Sequence, residues 1–377
     1  MRVLLLCDRL DISGGVERFV CALANHLAGV GLDVAVGSVD TPRGEVRYAL
    51  DAKVRVLAGE PRRSPDADVP RTSRVARAWD LLRSQWRIGR SLARVIRSDR
   101  PDVIVLNGLT TACSVLLLER RFAARTICCD HNHFAARSAL WQRLRSWLYP
   151  AVGAVVSLTQ ADAPRFRALN PRTQVIYNAS SLRADAPALP DSLVVLAVGR
   201  HVAQKGFDLL VKAWAVVVKA LPDARLRVVG DGPLRAEHER MAREAGLAGC
   251  IDWLAPTSEI ESLYCDAAVF VLSSRYEGMP LALLEAQALG VPAVAFDCPT
   301  GPAEIIDDST GRLVSAGDVA ALAAALVELL SSRPLRERMA RAAIERSRAL
   351  FSPQEHERQW TQLIREVALR KAYGAVA

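Results

Sequence analysis

The sequence predicts an α/β protein of two doubly wound domains, each a parallel sheet with helices on both faces. Three observations carry that reading. Short apolar runs of strand length alternate with longer helical patterns from residue 2 to residue 177. The alternation dissolves over 178–191 into Asn-Ala-Ser-Ser and Ala-Pro-Ala-Leu-Pro-Asp, and resumes at Leu193. At 377 residues and 51% hydrophobic composition, the chain is long enough to bury two cores.

In the first half, strands are expected at 2–7, 33–39, 54–58, 103–106, 126–129, 154–158 and 174–177. Gly14-Gly15 precedes a helix over 16–28, and Pro101 stops the helical stretch before the strand at 103. In the second half, the strands are 193–198, 226–229, 251–254, 268–272, 293–296 and 312–314. Helices fall between them, including 207–220 and 320–330, and the chain ends in helices from about 334 and over 353–373. The expected domains are therefore 1–180 and 181–352, with 353–377 to be placed. Open sheets of this kind bind ligands at the carboxyl ends of their strands.

Composition excludes several classes. No run approaches the length of a membrane span, and the apolar stretch after Met1 is too short for a signal peptide, so a cytoplasmic protein is expected. The eight cysteines show no C-x-x-C or metal-ligand spacing, which favours buried reduced thiols over disulfides or zinc. Residues 1–180 hold 27 Lys+Arg against 16 Asp+Glu, net +11, and the remainder 22 against 25, net −3. Such asymmetry points toward an anionic partner of the first half.

The most informative stretch is 273–290, S-S-R-Y-E-G-M-P-L-A-L-L-E-A-Q-A-L-G. It follows an apolar strand, so 273–279 reads as a loop at that strand's carboxyl end. Pro280 suits the first helical position and Gly290 the stop, giving a helix of roughly ten residues. The helix start at Pro280 and Leu281, preceded by Gly278 and Met279, offers free backbone N–H groups and a positive dipole end where a phosphate would sit. Glu285 leans back toward that helix start and suits a ribose diol. Glu277 in the loop suits hydroxyls or developing positive charge beyond the phosphates. Either glutamate alone would read as a solvated carboxylate; strand, loop glycine, proline and spacing together favour a site for a sugar nucleotide.

Other strand ends add candidates. Gly199, Arg200 and Lys205 follow the first strand of the second half and suit a diphosphate clamp. Gly230 opens a Gly-Asp-Gly-Pro turn that would let a nucleotide approach the backbone, and Leu254 at the next strand end suits the base. In the first half, Gly14 and Gly15 at a helix start suit anionic oxygen or the acceptor, with Glu17 and Arg18 to orient the loop. His131, in Asp-His-Asn-His after a strand, suits a polar contact to sugar or acceptor. No acidic or cysteine cluster completes a metal site there, and Asp66 and Asp68 sit in a polar, proline-containing loop.

Two arginine-rich helical stretches, 73–97 and 137–149, interleave Trp79, Leu82, Trp86, Trp141, Leu144, Trp147 and Leu148 with arginines, Arg145 among them. They fit an anionic membrane surface or ordinary amphipathic helices with core tryptophans. Nucleic acid ranks last, since no recognisable binding motif is present.

Taken together, Gly199-Arg200, Lys205-Gly206, Gly230-Asp231-Gly232-Pro233 and Glu277-Gly278-Met279-Pro280 with Glu285 resemble the retaining glycosyltransferases of family 4. The resemblance implies the GT-B fold: two Rossmann-like domains facing across a cleft, with the C-terminal helix crossing back to the N-terminal, acceptor-binding domain and the C-terminal domain binding the donor. It implies that Glu277 lies at the transferred sugar, Glu285 at the ribose, Arg200 and Lys205 at the diphosphate, the Gly14-Gly15 loop at donor phosphate and acceptor, and His131 near the sugar. No cofactor or metal is implied. Residues 297–306, Asp-Cys-Pro-Thr-Gly-Pro-Ala-Glu-Ile-Ile, resemble a bacterial subgroup that extends surface-polysaccharide or lipid-linked chains, mostly from UDP-hexoses or UDP-N-acetylhexosamines. Asn178-Ala179 departs from the common Asn-Gly. The expected partners are a nucleotide-sugar donor, a glycan or lipid-linked acceptor, and through 73–97 and 137–149 the inner face of the cell membrane. The alternatives are a sugar-nucleotide epimerase of the same fold or a GDP-mannose-dependent mannosyltransferase.

Overall fold

The computed structural model describes residues 1–12, 14–39, 41, 45–58 and 74–373, with the backbone alone at 74–82 and 371–373. The polar loop at 61–71, with Asp66 and Asp68, lies outside the described residues, as do the side chains of Trp79 and Leu82.

The chain forms two units, Met1–Ile176 with Glu357–Ala377, and Tyr177–His356. The first unit runs β1 (Arg2–Leu6), α1 (Gly15–Gly29), β2 (Asp33–Ser38), β3 (Arg55–Ala58), α2 (Arg74–Asp99), β4 (Val103–Asn107), α3 (Leu109–Leu118), β5 (Thr126–Cys129), α4 (Ala139–Leu148), β6 (Ala154–Ser157), α5 (Ala163–Leu169) and β7 (Thr173–Val175). The second runs β8 (Val194–Val198), α6 (Phe207–Ala220), β9 (Arg225–Val229), α7 (Arg235–Glu244), β10 (Ile251–Leu254), α8 (Ile260–Cys265), β11 (Val269–Leu272), α9 (Leu281–Ala288), β12 (Ala293–Asp297), α10 (Pro302–Ile305), β13 (Gly311–Ser315), α11 (Val319–Ser331) and α12 (Arg333–Leu350). Helix α13 (Pro353–Tyr373) follows, and from Glu357 onward it belongs to the first unit.

All thirteen expected strands are present, within about two residues of their expected ends. Their composition explains why. Val103, Ile104, Val105 and Leu106 are all fully buried, as are Val3 to Leu6, because helices on both faces leave a parallel strand no solvent side. The helices instead bury one stripe. In α6 the stripe is Phe207, Leu210, Val211, Trp214 and Val217, which packs on the β8–β9–β11 face. Polar caps close helix starts where available: the Asp318 carboxylate accepts the Ala321 N–H at 2.9 Å at the head of α11.

Every strand pair is parallel. The first sheet has the order β3-β2-β1-β4-β5-β6-β7 and the second β10-β9-β8-β11-β12-β13. In each the order reverses once, between β1 and β4 and between β8 and β11. At such a reversal the connections leave on opposite faces and open a crevice at the strands' carboxyl ends. The candidate residues therefore sort by which reversal they flank.

Candidate functional site

In the second unit the loops after β8 and β11 are stitched together. Arg275 donates its backbone N–H to the Gln204 carbonyl at 2.7 Å, the Gln204 amide reaches the Tyr276 carbonyl at 3.0 Å, and the Ser273 hydroxyl donates to the Lys205 carbonyl at 2.9 Å. Gly206 permits this approach: its φ is +63°, and a Cβ there would stand 2.1 Å from the Ser273 carbonyl oxygen. A bidentate Arg275–Asp208 pair at 2.8 and 2.7 Å clips the loop to α6 and holds the Asp208 carboxyl below the usual range.

This stitching sets the Lys205 ammonium 2.7 Å from Glu277 Oε1. The Ser274 hydroxyl donates to the same oxygen at 2.6 Å. The Glu277 backbone is clamped as well, its N–H on the Pro299 carbonyl at 2.8 Å and its carbonyl accepting from Thr300 at 3.2 Å. The Lys205 stem lies over Gly199, where a Cβ would meet its Cδ and Cε at 3.2 Å. Glu277 is 5% exposed, so its charge is matched by a specific cation and hydroxyl rather than by water. Two features remain available. A lysine ammonium has three N–H donors and only one is engaged here, and Glu277 Oε2 makes no hydrogen bond among the described residues.

Helix α9 begins one residue later than expected: Pro280 is extended, at φ −70° and ψ 110°, and serves as the N-cap, with Leu281 the first helical residue. The reason lies in its carbonyl, which accepts the N–H groups of both Leu283 and Leu284. The N–H groups of Leu281 and Ala282 make no hydrogen bond among the described residues, so the helix start keeps donors for an anion. Gly278 and Met279 are buried behind it, their carbonyls accepting from the Thr300 hydroxyl and the Asn178 amide. Glu285, the fifth residue of α9, is also buried, and Tyr264 of α8 donates to its Oε2 at 2.9 Å.

The remaining second-unit candidates line the same strand ends without joining that pair. Arg200 is exposed and bonds neither glutamate. Gly230 lies flat on Gly199, whose carbonyl oxygen would be 1.9 Å from a Gly230 Cβ. The Leu254 carbonyl accepts the Gly230 N–H at 3.0 Å, tying the end of β10 to that turn. Beside Arg200, His201 is fully buried with its Nδ1 3.0 Å from His238 Nδ1, and burial lowers its pKa to about 4.

In the first unit, Gly14 is the N-cap of α1 and Gly15 its first residue. Glu17 folds back over them, its Oε2 occupying the place of a Gly14 Cβ at 2.2 Å, so a carboxylate already faces that positive helix end. His131 follows β5. Its Nε2 lies 2.9 Å from the Asn107 side-chain oxygen, and enclosure by protein lowers its pKa to about 4, so the imidazole is neutral at pH 7.

The basic helices divide by face. Arg83, Arg87, Arg90, Arg94 and Arg97 share the exposed stripe of α2 with Trp86, which is 52% exposed and lies under the Arg90 guanidinium at 4.6 Å. In α4, Trp147 is 53% exposed beneath Arg120 at 4.4 Å, while Trp141 and Leu144 pack on the core and Leu148 is buried within it. Arg145 is a correction to the surface reading. It is 1% exposed, 3.2 Å from the buried Asp130 and stacked 3.5 Å over Phe134, because it shares the core phase of Trp141, Leu144 and Leu148.

Sequence reasoning missed Ser274, Tyr264 and Asn107. Asn107 ends an apolar strand at the reversal of the first sheet, and that placement was a usable signal; Ser274 and Tyr264 left none.

Two family models match successive parts of the chain. The family described as Glycosyltransferase Family 4 matches residues 13–182, and Glycosyl transferases group 1 matches residues 180–346. The amylovoran biosynthesis glycosyltransferase AmsD of Erwinia amylovora is 31% identical, covering 96% of this chain and 99% of its own. A Campylobacter jejuni alpha-1,4-N-acetyl-D-galactosaminyltransferase, named for a diNAcBac-PP-undecaprenol-linked substrate, is 25% identical over 94% of this chain and 96% of its own. Among solved structures, sucrose-phosphate synthase from Thermosynechococcus elongatus superposes with a TM-score of 0.81 at 21% identity, covering 99% of both chains.

Proposed function

We propose function from one premise: the chain belongs to the glycosyltransferases, a family 4 first half joined to a group 1 second half on the GT-B fold. It moves a hexose or N-acetylhexosamine from a nucleotide diphosphate sugar, UDP favoured, to a hydroxyl of a lipid-linked or surface-polysaccharide glycan, with retention at the anomeric carbon. The observation that carries this reading is the Lys205–Glu277 pair at 2.7 Å, held at the reversal of the second sheet beside the start of α9, whose first two N–H groups make no hydrogen bond among the described residues.

Each group then has a task. Lys205 turns its remaining N–H groups to the diphosphate, with Arg200 and the start of α9 sharing that charge, so the reaction needs no metal. Glu277 Oε2 accepts a sugar hydroxyl, and the carboxylate offsets positive charge as the bond from the anomeric carbon to the diphosphate oxygen breaks. The acceptor oxygen bonds to that carbon from the same face and its proton passes to the departing diphosphate. Glu285, steadied by Tyr264, anchors the ribose. His131 accepts a hydrogen bond from a hydroxyl of sugar or acceptor.

The C. jejuni relative's undecaprenol-linked substrate and the exposed Trp86 and Trp147 with their arginines support an acceptor met at an anionic membrane surface. No described helix is long and apolar enough to cross a membrane.

The test is transfer from a panel of sugar nucleotides to lipid-linked acceptors. One donor is expected to react, with an α-linked product from an α-linked donor, and Glu277→Ala to lower kcat at least 100-fold. Wild-type rates in that variant would remove Glu277 from the site.

A further inference from the structure

We propose that Asn107 is a positioning residue: it locks His131 in one tautomer, leaving Nδ1 as a bare hydrogen-bond acceptor for a substrate hydroxyl. The identity of that hydroxyl rests on the glycosyltransferase reading; the lock itself does not.

The chain of reasoning begins at the carboxyl end of β1. The Leu6 carbonyl oxygen can only accept, so the Asn107 side-chain atom 3.1 Å from it must be the amide nitrogen. The other terminal atom of Asn107 is therefore its oxygen, which can only accept, and His131 Nε2 stands 2.9 Å from it. Nε2 must carry the hydrogen. A neutral imidazole has one N–H, so Nδ1 holds a lone pair, and Nδ1 has no hydrogen-bond partner among the described residues. The ring stays neutral because burial opposes its charge.

The same contacts fix the ring in space. Asn107 is 2% exposed and bridges β1 to the loop after β5, across the reversal of the first sheet. Phe19 of α1 packs edge-on against the imidazole at 4.8 Å, and Trp360 of α13 packs on Phe19 at 5.5 Å. Helix α13 thus stands behind a residue more than two hundred positions earlier. A histidine free to change tautomer would present N–H or lone pair indifferently; this one presents only the lone pair, which selects a hydroxyl as donor and rejects an ether or carbonyl at that place.

The experiment uses the full chain with 15N-labelled histidine. Long-range proton–nitrogen correlation spectra read the tautomer directly, and His131→Gln identifies the signal. The wild type is expected to show Nε2–H at pH 7.5, Asn107→Leu a mixture of tautomers, and Asn107→Asp, which keeps an acceptor toward Nε2, the wild-type form. In transfer assays with deoxygenated donor sugars, the wild type should reject one analogue. Asn107→Leu should lower kcat 10- to 100-fold with donor KM within twofold, and lose that rejection. An Nδ1–H tautomer in the wild type, or an unchanged tautomer in Asn107→Leu, overturns the lock whatever the activity. The Nε2–H tautomer without transfer from any sugar nucleotide overturns the functional reading and leaves the lock standing.

Discussion

The two sheets reverse strand order in the same way but furnish the crevice differently. At the β8–β11 reversal the side chains are charged and paired: Lys205 on Glu277, with Arg275 on Asp208 behind them. At the β1–β4 reversal the contacts around His131 are neutral, Asn107 on the Leu6 carbonyl and on His131, whose pKa is pushed down to about 4, while the head of α1 carries the Glu17 carboxylate. The first unit carries the larger excess of cations, yet Arg145, which reaches the Phe134 carbonyl in the loop after β5, is consumed internally by Asp130 and Phe134. Net charge therefore says little about which crevice handles an ionic group. The strand-end residues decide it: those of the second unit suit an anion and those around His131 suit hydrogen bonding.

The largest expected effect would break the internal pair that occupies Arg145 in the first unit. Arg145→Met leaves the buried Asp130 with the Tyr149 hydroxyl at 2.6 Å as its one side-chain partner among the described residues, and urea unfolding should show a loss of about 3–5 kcal/mol. A loss below about 1 kcal/mol would mean Asp130 is already protonated, a direction burial favours by raising its pKa.

A middle-sized effect concerns pH. His131 and His201 both have folded pKa values near 4, below the roughly 6.5 of an unfolded histidine. Between pH 6.5 and 4 the unfolded chain binds more protons, so stability should fall as pH falls through that window. His201→Gln should reduce proton uptake on unfolding at pH 5 by about one, measured as the slope of unfolding free energy against pH. An unchanged slope would mean that His201 is protonated in the folded protein.

The smallest effect sharpens the membrane half. Exchanging Arg83, Arg87 and Arg90 for glutamate should abolish salt-sensitive binding to vesicles of anionic lipid while leaving Tm within about 2 °C, since all three are exposed. Binding that resists salt, or is absent in the wild type, would return α2 to an ordinary amphipathic helix.

Much of the fold was legible because parallel strands covered on both faces must be continuous apolar runs, and 103–106 or 269–272 can be little else. The positions of Glu277, Lys205 and His131 at strand ends followed from the same runs. Their partners did not. That Lys205 meets Glu277, 72 positions away, depends on the adjacency of β8 and β11, and strand order is not written in local periodicity. Tyr264 on Glu285 depends on how α8 docks. Arg145 was legible and passed over: Trp141, Leu144, Arg145 and Leu148 share one helical phase, while Leu140, Arg143 and Trp147 share the other. Pro280 shows the usual one-residue uncertainty of a helix start.

The central claim is that the charged crevice of the second unit binds the diphosphate of a sugar nucleotide. Calorimetric titration of UDP and GDP, alone and as sugar conjugates, into the wild type and Lys205→Met tests it most directly. One nucleotide should bind the wild type without added metal, and Lys205→Met should weaken it at least tenfold, about 1.4 kcal/mol. Equal affinity in the two proteins, or no binding of any of them to the wild type, would contradict the account.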